Sequence, residues 1–416
     1  MLASPFTFPC GLTVPNRIAK SSMTERMADP AGTPSPRLVR LFQRYADGGA
    51  GFLLTGNVVV DGQHLEGFGN AILEDGRGLD AFQAWAAAGR SRGGAMVVQL
   101  NHPGRQAMRT VTQEPVAPSA VGLPNKRFFA VPQALSEAGV RGVIDAFVRS
   151  AWLAERAGFS GVELHAAHGY LLSQFLSPHV NQRTDRWGGS VENRARVIIE
   201  IVERIRARVS ASFAVGIKLN AGDFVKGGMS PEEATQVMRL LDPLGLDFIE
   251  ISGGTFERPA SFGHGLPEST LRREGYFVEM ARRARDATRV PLIVTGGLRS
   301  AAAMEQALAD GSCDLVGLAR PLALEPRLPR RLMSDPGARA ISVPLRLPKG
   351  PMAPLAELWW HHEQMERLAN GGEPKLSASP KLALLRMTLR DRLLAWRRKR
   401  HLARQSALRQ LSTDSA

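Results

Sequence analysis

A chain of 416 residues with 44% hydrophobic content can bury a large core, but its two cysteines, Cys10 and Cys313, exclude a four-cysteine iron–sulfur site and any disulfide framework. The net charge of +14 is lopsided. Residues 381–416 carry ten Lys and Arg against Asp391 and Asp414, which is +8 of the total, so the mildly basic remainder gives no argument for nucleic acid. The N-terminus reads without a secretory signal, and no run of about 18 uncharged apolar residues occurs, so a cytoplasmic chain that does not span a membrane is expected.

In chain order, apolar runs alternate with helical patterns as far as about residue 335. Strands are predicted at 17–23, 51–60, 95–101, 159–165, 213–220, 246–253, 290–296 and 313–319. Their near-continuous hydrophobicity suits strands buried on both faces of a parallel sheet. Helices are predicted at 36–48, 79–91, 140–157, 191–209, 231–244, 275–287 and 300–310. Ser230-Pro231 places Ser at an N-cap and Pro at N1, and Ser190 opens another helix. Eight such alternations read as an α/β fold, a (β/α)8 TIM barrel, over residues 1–345. The competing doubly wound sheet lacks its usual strand-following G-x-G-x-x-G. Pro- and Gly-rich insertions at 102–139 and 254–274 follow strands directly, which puts them on the catalytic face. Beyond the barrel, an amphipathic helix at 354–369 presents Leu355, Leu358, Trp359, His362, Met365 and Leu368 on its apolar face. With its linker it makes a 346–380 unit packed on or near the barrel. Residues 381–416 then form a basic amphipathic helical tail.

Polar residues gather where these strands end. Strand seven ends Thr295-Gly296-Gly297 and strand eight ends Gly317-Leu-Ala319-Arg320. Loops at those two positions commonly bind phosphate through backbone N–H groups, and Arg320 adds a guanidinium fork. Lys218 ends strand five as a positive charge able to stabilise an anion; a salt bridge to a carboxylate is the alternative. The segment from Glu163 to Pro178 delivers His165, His168 and Tyr170 within six residues. Titratable groups crowded at the end of a buried strand are costly unless paired, which points to a site. His165 and His168 read as a donor pair for a substrate oxygen, with Tyr170 as proton donor. A metal is not expected there. The other strand ends offer Gln99, Lys218, Ser252 and Thr295, which are poor ligands, and Lys218 would repel a cation.

The run HAAHGYLLSQFLSPHVNQRTDRWGGSVENRARV at 165–197 resembles the longest motif of the old yellow enzyme family, FMN-dependent NAD(P)H:flavin oxidoreductases that include ene-reductases. The resemblance covers about residues 5–345 and implies the single-barrel form, with FMN at the C-terminal mouth and NADH or NADPH as electron donor. It implies that Thr24 contacts the flavin near C4=O and that Ser21 and Ser22 lie beneath the ring. Gly56 and Gln99 would meet the pyrimidine side, and Lys218 would stand near N1 and C2=O. Gly296, Gly297, Ala319 and Arg320 would hold the phosphate. It implies His165 and His168 as binders of a carbonyl or nitro oxygen and Tyr170 as the acid. Two departures stand out: Ser22 replaces a frequent Pro, and Lys218 replaces a more usual Arg. Asp185 to Arg194 read as loop architecture.

The expected function is therefore reduction of an electron-poor alkene by NAD(P)H through FMN. Alternatives from the same residues are an amine dehydrogenase or demethylase, a metal-dependent barrel hydrolase and a non-catalytic flavin-binding scaffold. The basic amphipathic helix at 381–409, with Leu385, Leu389, Leu393 and Trp396 at helical spacing, suggests contact with an anionic membrane surface, or a helix packed on the barrel. The sequence does not fix the oligomeric state.

Overall fold

The computed structural model describes residues 1–255, 257, 274–275, 277–348, 350 and 352–414. Eight parallel strands close into a barrel: β1 (Ile18–Lys20), β2 (Phe52–Val59), β3 (Ala95–Asn101), β4 (Gly161–Ala166), β5 (Ala214–Asn220), β6 (Phe248–Ser252), β7 (Leu292–Thr295) and β8 (Leu315–Leu318). Each pairs with the next, and β8 pairs back onto β1. All eight predicted runs become strands, with ends shifted by a few residues. Every residue of β2 to β6 is buried, which is why these runs read as continuous rather than alternating.

Alternate side chains along the strands still separate two layers. Those pointing outward, such as Ile18, Leu53, Met96 and Val98, join the main core beneath the helices. Those pointing inward near the strand starts, Ala19, Phe52, Ala95, Phe248 and Leu315, form a second cluster with Phe8 and Val14. Phe8 and Val14 belong to a small hairpin, Phe6–Thr7 paired with Thr13–Val14. The rings of Phe8, Phe52 and Phe248 lie with centroids 5.2–6.0 Å apart and close the N-terminal end of the barrel. The C-terminal end is left for chemistry.

The outer helices are α1 (Pro36–Asp47), α2 (Leu79–Arg90), α3 (Glu137–Arg156), α4 (Val191–Arg206), α5 (Pro231–Leu241), α6 (Val278–Arg285), α7 (Ala301–Ala309) and α8 (Leu328–Ser334). Serine starts five of them: Ser35, Ser136, Ser190, Ser230 and Ser300 each accept a backbone N–H from the first turn. Ser230 and Glu233 complete a capping box. Helix α3 begins three residues before its predicted start. Gly139 and Gly142 hide the pattern there, but the Ser136 hydroxyl takes the Gly139 N–H at 3.1 Å and sets the first turn. Residues 256 and 258–273 of the 254–274 insertion, and 276 at the start of the helix expected at 275–287, lie outside the described residues.

Two further helices follow, α9 (Ala353–Ala369) and α10 (Pro380–Asp414). Both lie on the barrel. Arg40 of α1 donates to the Ala369 carbonyl at 2.9 Å, and Trp360 donates to Ala378 O at 2.8 Å. Trp360 is the fully buried tryptophan, while Leu358 is exposed and Trp359 half-buried, so the packed face of α9 is rotated from the one read in the sequence. Helix α10 is tied down by Arg26–Asp391 at 2.7 Å. No described helix is long and apolar enough to cross a membrane.

Candidate active site

The mouth is built from neighbouring strand positions. Lys218 on β5 stands in register with His165 on β4 and with Glu250 on β6. Gln99 on β3 stands beside Glu163 on β4. Their side chains form one buried network. Gln99 Nε2 donates to Glu163 at 2.6 Å, and Lys218 Nζ donates to Glu250 at 2.7 Å. The Thr295 hydroxyl donates to the same Glu250 oxygen at 2.6 Å, which leaves the Thr295 oxygen to accept from Ser21 at 2.6 Å. Glu163 Oε1 and Glu250 Oε2 have no other partner. Burial and the neighbouring Glu250 push the Glu163 carboxyl well above the usual range. Burial also pushes Glu250 up, but Lys218 and the hydrogen bond from Glu163 hold it below. Glu163 is therefore the carboxyl that holds a proton more readily, and Glu250 the one that stays ionised beside Lys218. Lys218, read from sequence as an anion-stabilising charge or else a salt-bridge partner, is here paired with Glu250 on the neighbouring strand.

A second buried pair underlies the β1–β2 side. Lys20 Nζ meets Glu25 at 3.1 Å and donates to Leu54 O at 2.8 Å, with the Phe42 ring 4.7 Å away. The Glu25 carboxylate accepts the Gly56 N–H at 3.0 Å. A Cβ on Gly56 would lie 2.3 Å from the Met23 carbonyl, so only glycine lets residues 23–25 cross there. The Gly56 N–H is thus committed to Glu25, and the Ser22 hydroxyl to Thr55 O at 2.6 Å. Thr24 Oγ1 reaches Glu66 at 3.4 Å.

Above this floor the β4 loop brings His165, His168 and Tyr170 together. His168 is non-glycine at φ 59, a strained left-handed backbone. Its N–H is held by Asn220 Oδ1 at 3.1 Å and its carbonyl by Gln106 at 2.7 Å. The polar contacts set the tautomers. His165 Nδ1 accepts the Ala167 N–H at 3.3 Å, so its proton lies on Nε2 and points to His168 Nδ1 at 3.4 Å. His168 then carries its proton on Nε2 and donates to Ser252 Oγ at 2.7 Å. Burial, then the charge of Lys218, pushes His168 down to about 3; burial, His168 and Lys218 push His165 well below the usual range. Both rings are neutral. The Tyr170 ring stands edge-on to His165 at 4.7 Å, and its hydroxyl donates to Glu66 at 3.0 Å. Burial and the Glu66 carboxylate raise its pKa well above the usual value, so the phenol keeps its proton.

The phosphate-side residues also converge. Strands β7 and β8 pair Thr295 with Gly317, which places Gly296–Gly297 beside Ala319–Arg320. Gly296 and Gly297 have φ of 131° and 79°, conformations that favour glycine. A Cβ on Gly317 would fall 1.9 Å from Thr295 Oγ1 and 2.4 Å from Ser21 Oγ. Arg320 Nη1 meets Glu357 of α9 at 2.5 Å, a partner no sequence pattern announced. This cradle of glycine backbone and guanidinium, together with Gln99, Lys218 and Thr24 at the other strand ends, suits the phosphate and the polar ring edge of FMN. Gly317→Ala should therefore lose FMN and cost about 1–3 kcal/mol of stability through overpacking. Flavin absorbance per protein and the thermal midpoint would check this; full occupancy with an unchanged midpoint would contradict it.

A model of the NADH:flavin oxidoreductase / NADH oxidase family, FMN-binding, matches residues 2–336. The chain belongs to that family. It is 39% identical to the NADH-dependent flavin oxidoreductase iliE of Hypocrea jecorina over 83% of this chain and 92% of that one. To iccE of Talaromyces variabilis, also called an NADH-dependent flavin oxidoreductase, it is 40% identical over 80% of this chain and 87% of that one. The structure of the old yellow enzyme homologue from Zymomonas mobilis aligns with a TM-score of 0.70 at 25% identity, over 82% of this chain and 95% of that one. This member of the NADH:flavin oxidoreductase family is thus an old yellow enzyme-type oxidoreductase that uses FMN and NAD(P)H. FMN supplies hydride chemistry when bound, and the residues just described would hold it.

Sequence reading missed Glu163 and Glu250, although a lone carboxylate inside an apolar strand is itself a signal of a buried partner. Glu25 and Glu66 lie in loops and Glu357 on α9, and they carried no such signal. It placed His102 at a strand end but missed Asp61 and His64, which with His102 form the one set among the described residues whose donor atoms approach closely enough for a metal ion. His64 Nδ1 bonds Asp61 at 2.7 Å. His102 Nδ1 accepts the Gly104 N–H at 3.1 Å, which puts its proton on Nε2, the atom facing Asp61 at 4.0 Å. That protonation opposes metal ligation by His102. Residues Asp185 to Arg194 serve the loop: Arg183 and Asp185 pair at 2.5 Å, and buried Arg194 donates to Leu176 O and Glu233.

Proposed function

We propose that this chain reduces electron-poor alkenes, such as α,β-unsaturated carbonyls, at the expense of NADH or NADPH. The observation that carries the reading is the meeting of two neutral imidazoles with a protonated phenol at one rim of the mouth. A carbonyl oxygen arriving between His165 and His168 would replace His168 Nδ1 as acceptor of the His165 Nε2 proton. His168 can turn its own N–H from Ser252 to the same oxygen. Two neutral donors aimed at that oxygen stabilise the negative charge it gains when hydride adds to Cβ. Tyr170 Oη then gives its proton to Cα. Its raised pKa keeps it in the acid form until that step, and Glu66 orients the hydroxyl meanwhile. One hydride and one proton saturate the double bond, with NAD(P)H as the reductant.

Anaerobic NADH should bleach the visible flavin band of the purified protein. A cyclic enone added next should restore it within seconds and yield the saturated ketone. Bleaching by NADH without enone-driven recovery, together with bleaching of the oxidised flavin by a secondary amine that supplies the two electrons itself, would reject the alkene reading in favour of amine dehydrogenation.

A further inference from the structure

We infer that helix α10 binds the surface of an anionic lipid bilayer through a face the barrel leaves uncovered. One side of α10 is committed to the protein. Ala383 and Met387 are buried, Arg390 donates to the Arg26 carbonyl, Asp391 pairs with Arg26, and Arg398 donates to Pro30 O at 2.8 Å. The opposite side carries Leu382, Leu385, Leu389, Leu393 and Trp396, each 46–56% exposed. At about 100° per residue these five fall within an arc of about 80°, a stripe about 21 Å long. Large apolar side chains so aligned on a surface mark an interaction site rather than scatter.

Charge selects the occupant. Exposed Lys381, Arg392 and Lys399 flank one edge of the stripe, exposed Arg386 and Arg397 the other, and Arg400 and Arg404 extend it. Arg400 also stacks on the Trp396 ring at 4.6 Å. Asp391 is the sole carboxylate from 381 to 413, and it faces the barrel in its ion pair. The uncovered face is therefore apolar at its centre and cationic at both margins. That pattern fits a helix lying in the bilayer interface, with Leu and Trp in the acyl boundary and cations on acidic headgroups. A second copy of the same face would set cations against cations. A nucleic acid would satisfy the cations but leave the leucines in water.

The test uses full-length, FMN-loaded protein and sedimentation with vesicles of phosphatidylcholine alone or with about a third phosphatidylglycerol. Binding should require the acidic lipid, weaken with salt, and fall at least about tenfold in Leu389→Asn/Leu393→Asn, whose exposed positions spare the fold. Arg392→Gln/Arg397→Gln should weaken binding by a different route, the acidic-lipid dependence. Bleaching of the flavin by NADH should be unchanged in both variants. Three results would overturn the assignment: no sedimentation with acidic vesicles, equal binding by the leucine variant, or a lipid-free dimer that the leucine variant abolishes. Tight binding of an oligonucleotide in place of acidic vesicles would also overturn it.

Discussion

Tyr170→Phe should slow enone-driven reoxidation by about 10²–10⁴-fold, the usual worth of a positioned general acid, while leaving reduction by NADH nearly unchanged. The separation follows from the geometry. The Tyr170 hydroxyl is the protonated group beside His165, and it is kept in that form by burial and by Glu66. Reduction by NADH needs no proton from it. Saturation of the alkene does. Phenylalanine preserves the edge-on ring contact with His165 and removes the proton alone. Anaerobic stopped-flow of the two half-reactions separates the effects. Wild-type reoxidation by the variant would make solvent or another residue the donor. His168→Ala should act differently, weakening binding of phenolic ligands as well as slowing turnover, because it removes one donor to the oxygen.

A second large effect is expected from acid. Five histidines are kept neutral, four of them buried and His168 half-buried. Burial pushes His102 and His168 down to about 3 and His361 to about 4, and pushes His165 and His362 well below the usual range. The unfolded chain protonates each near pH 6.5, whereas the folded chain does so only below its depressed value. Between those limits the unfolded state holds more protons, so stability rises with pH and is lost as pH falls below about 6.5. Two groups oppose this. Glu25 and Glu163, raised by burial, keep protons in the folded state above about pH 4.5 that the unfolded chain gives up. With more histidines depressed than carboxyls raised, the unfolded chain binds more protons than the folded one between about pH 6.5 and 4.5, and stability falls as pH falls across that window. Thermal midpoints of the FMN-loaded protein should fall steeply from pH 7 to pH 5. His362→Gln, which retains a donor for Glu25 O, should flatten the slope by about one proton. A midpoint independent of pH over that range would contradict the burial of these rings as neutral groups.

The barrel was legible in the sequence because its strands are buried on both faces, so runs such as Leu315 to Leu318 carry no polar interruption. The His165–His168–Tyr170 cluster was legible because all three lie within six residues and local chain geometry brings them together. What was not legible depends on contacts between distant segments. Lys218 could be placed at a strand end, but its partner lies 32 residues away on β6, and its identity follows from register alone. Gly56 was placed by resemblance beside the flavin, whereas its backbone is crossed by residues 23–25, an approach between segments that no local pattern shows. The packed face of α9 was misjudged because Trp359 and Trp360 are adjacent and equally apolar. The barrel surface, not helical periodicity, decides which of them is buried. Helix α10 reads as amphipathic either way, and the Arg26–Asp391 pair determines which face turns inward.

The stopper of Phe8, Phe52 and Phe248 has a kinetic consequence. With three aromatic rings wedged across one end of the barrel, the interior has a single doorway. The electron donor and the electron acceptor cannot enter from opposite sides and meet. Each occupies the doorway in turn, and each in excess keeps the other out. If the two share one position at that mouth, steady-state rates should follow a ping-pong law, with parallel double-reciprocal lines and inhibition by either reactant at high concentration; intersecting lines would contradict it. A hairpin of nine residues at the far end of the molecule, from Phe6 to Val14, thus helps keep all ligand traffic at the mouth.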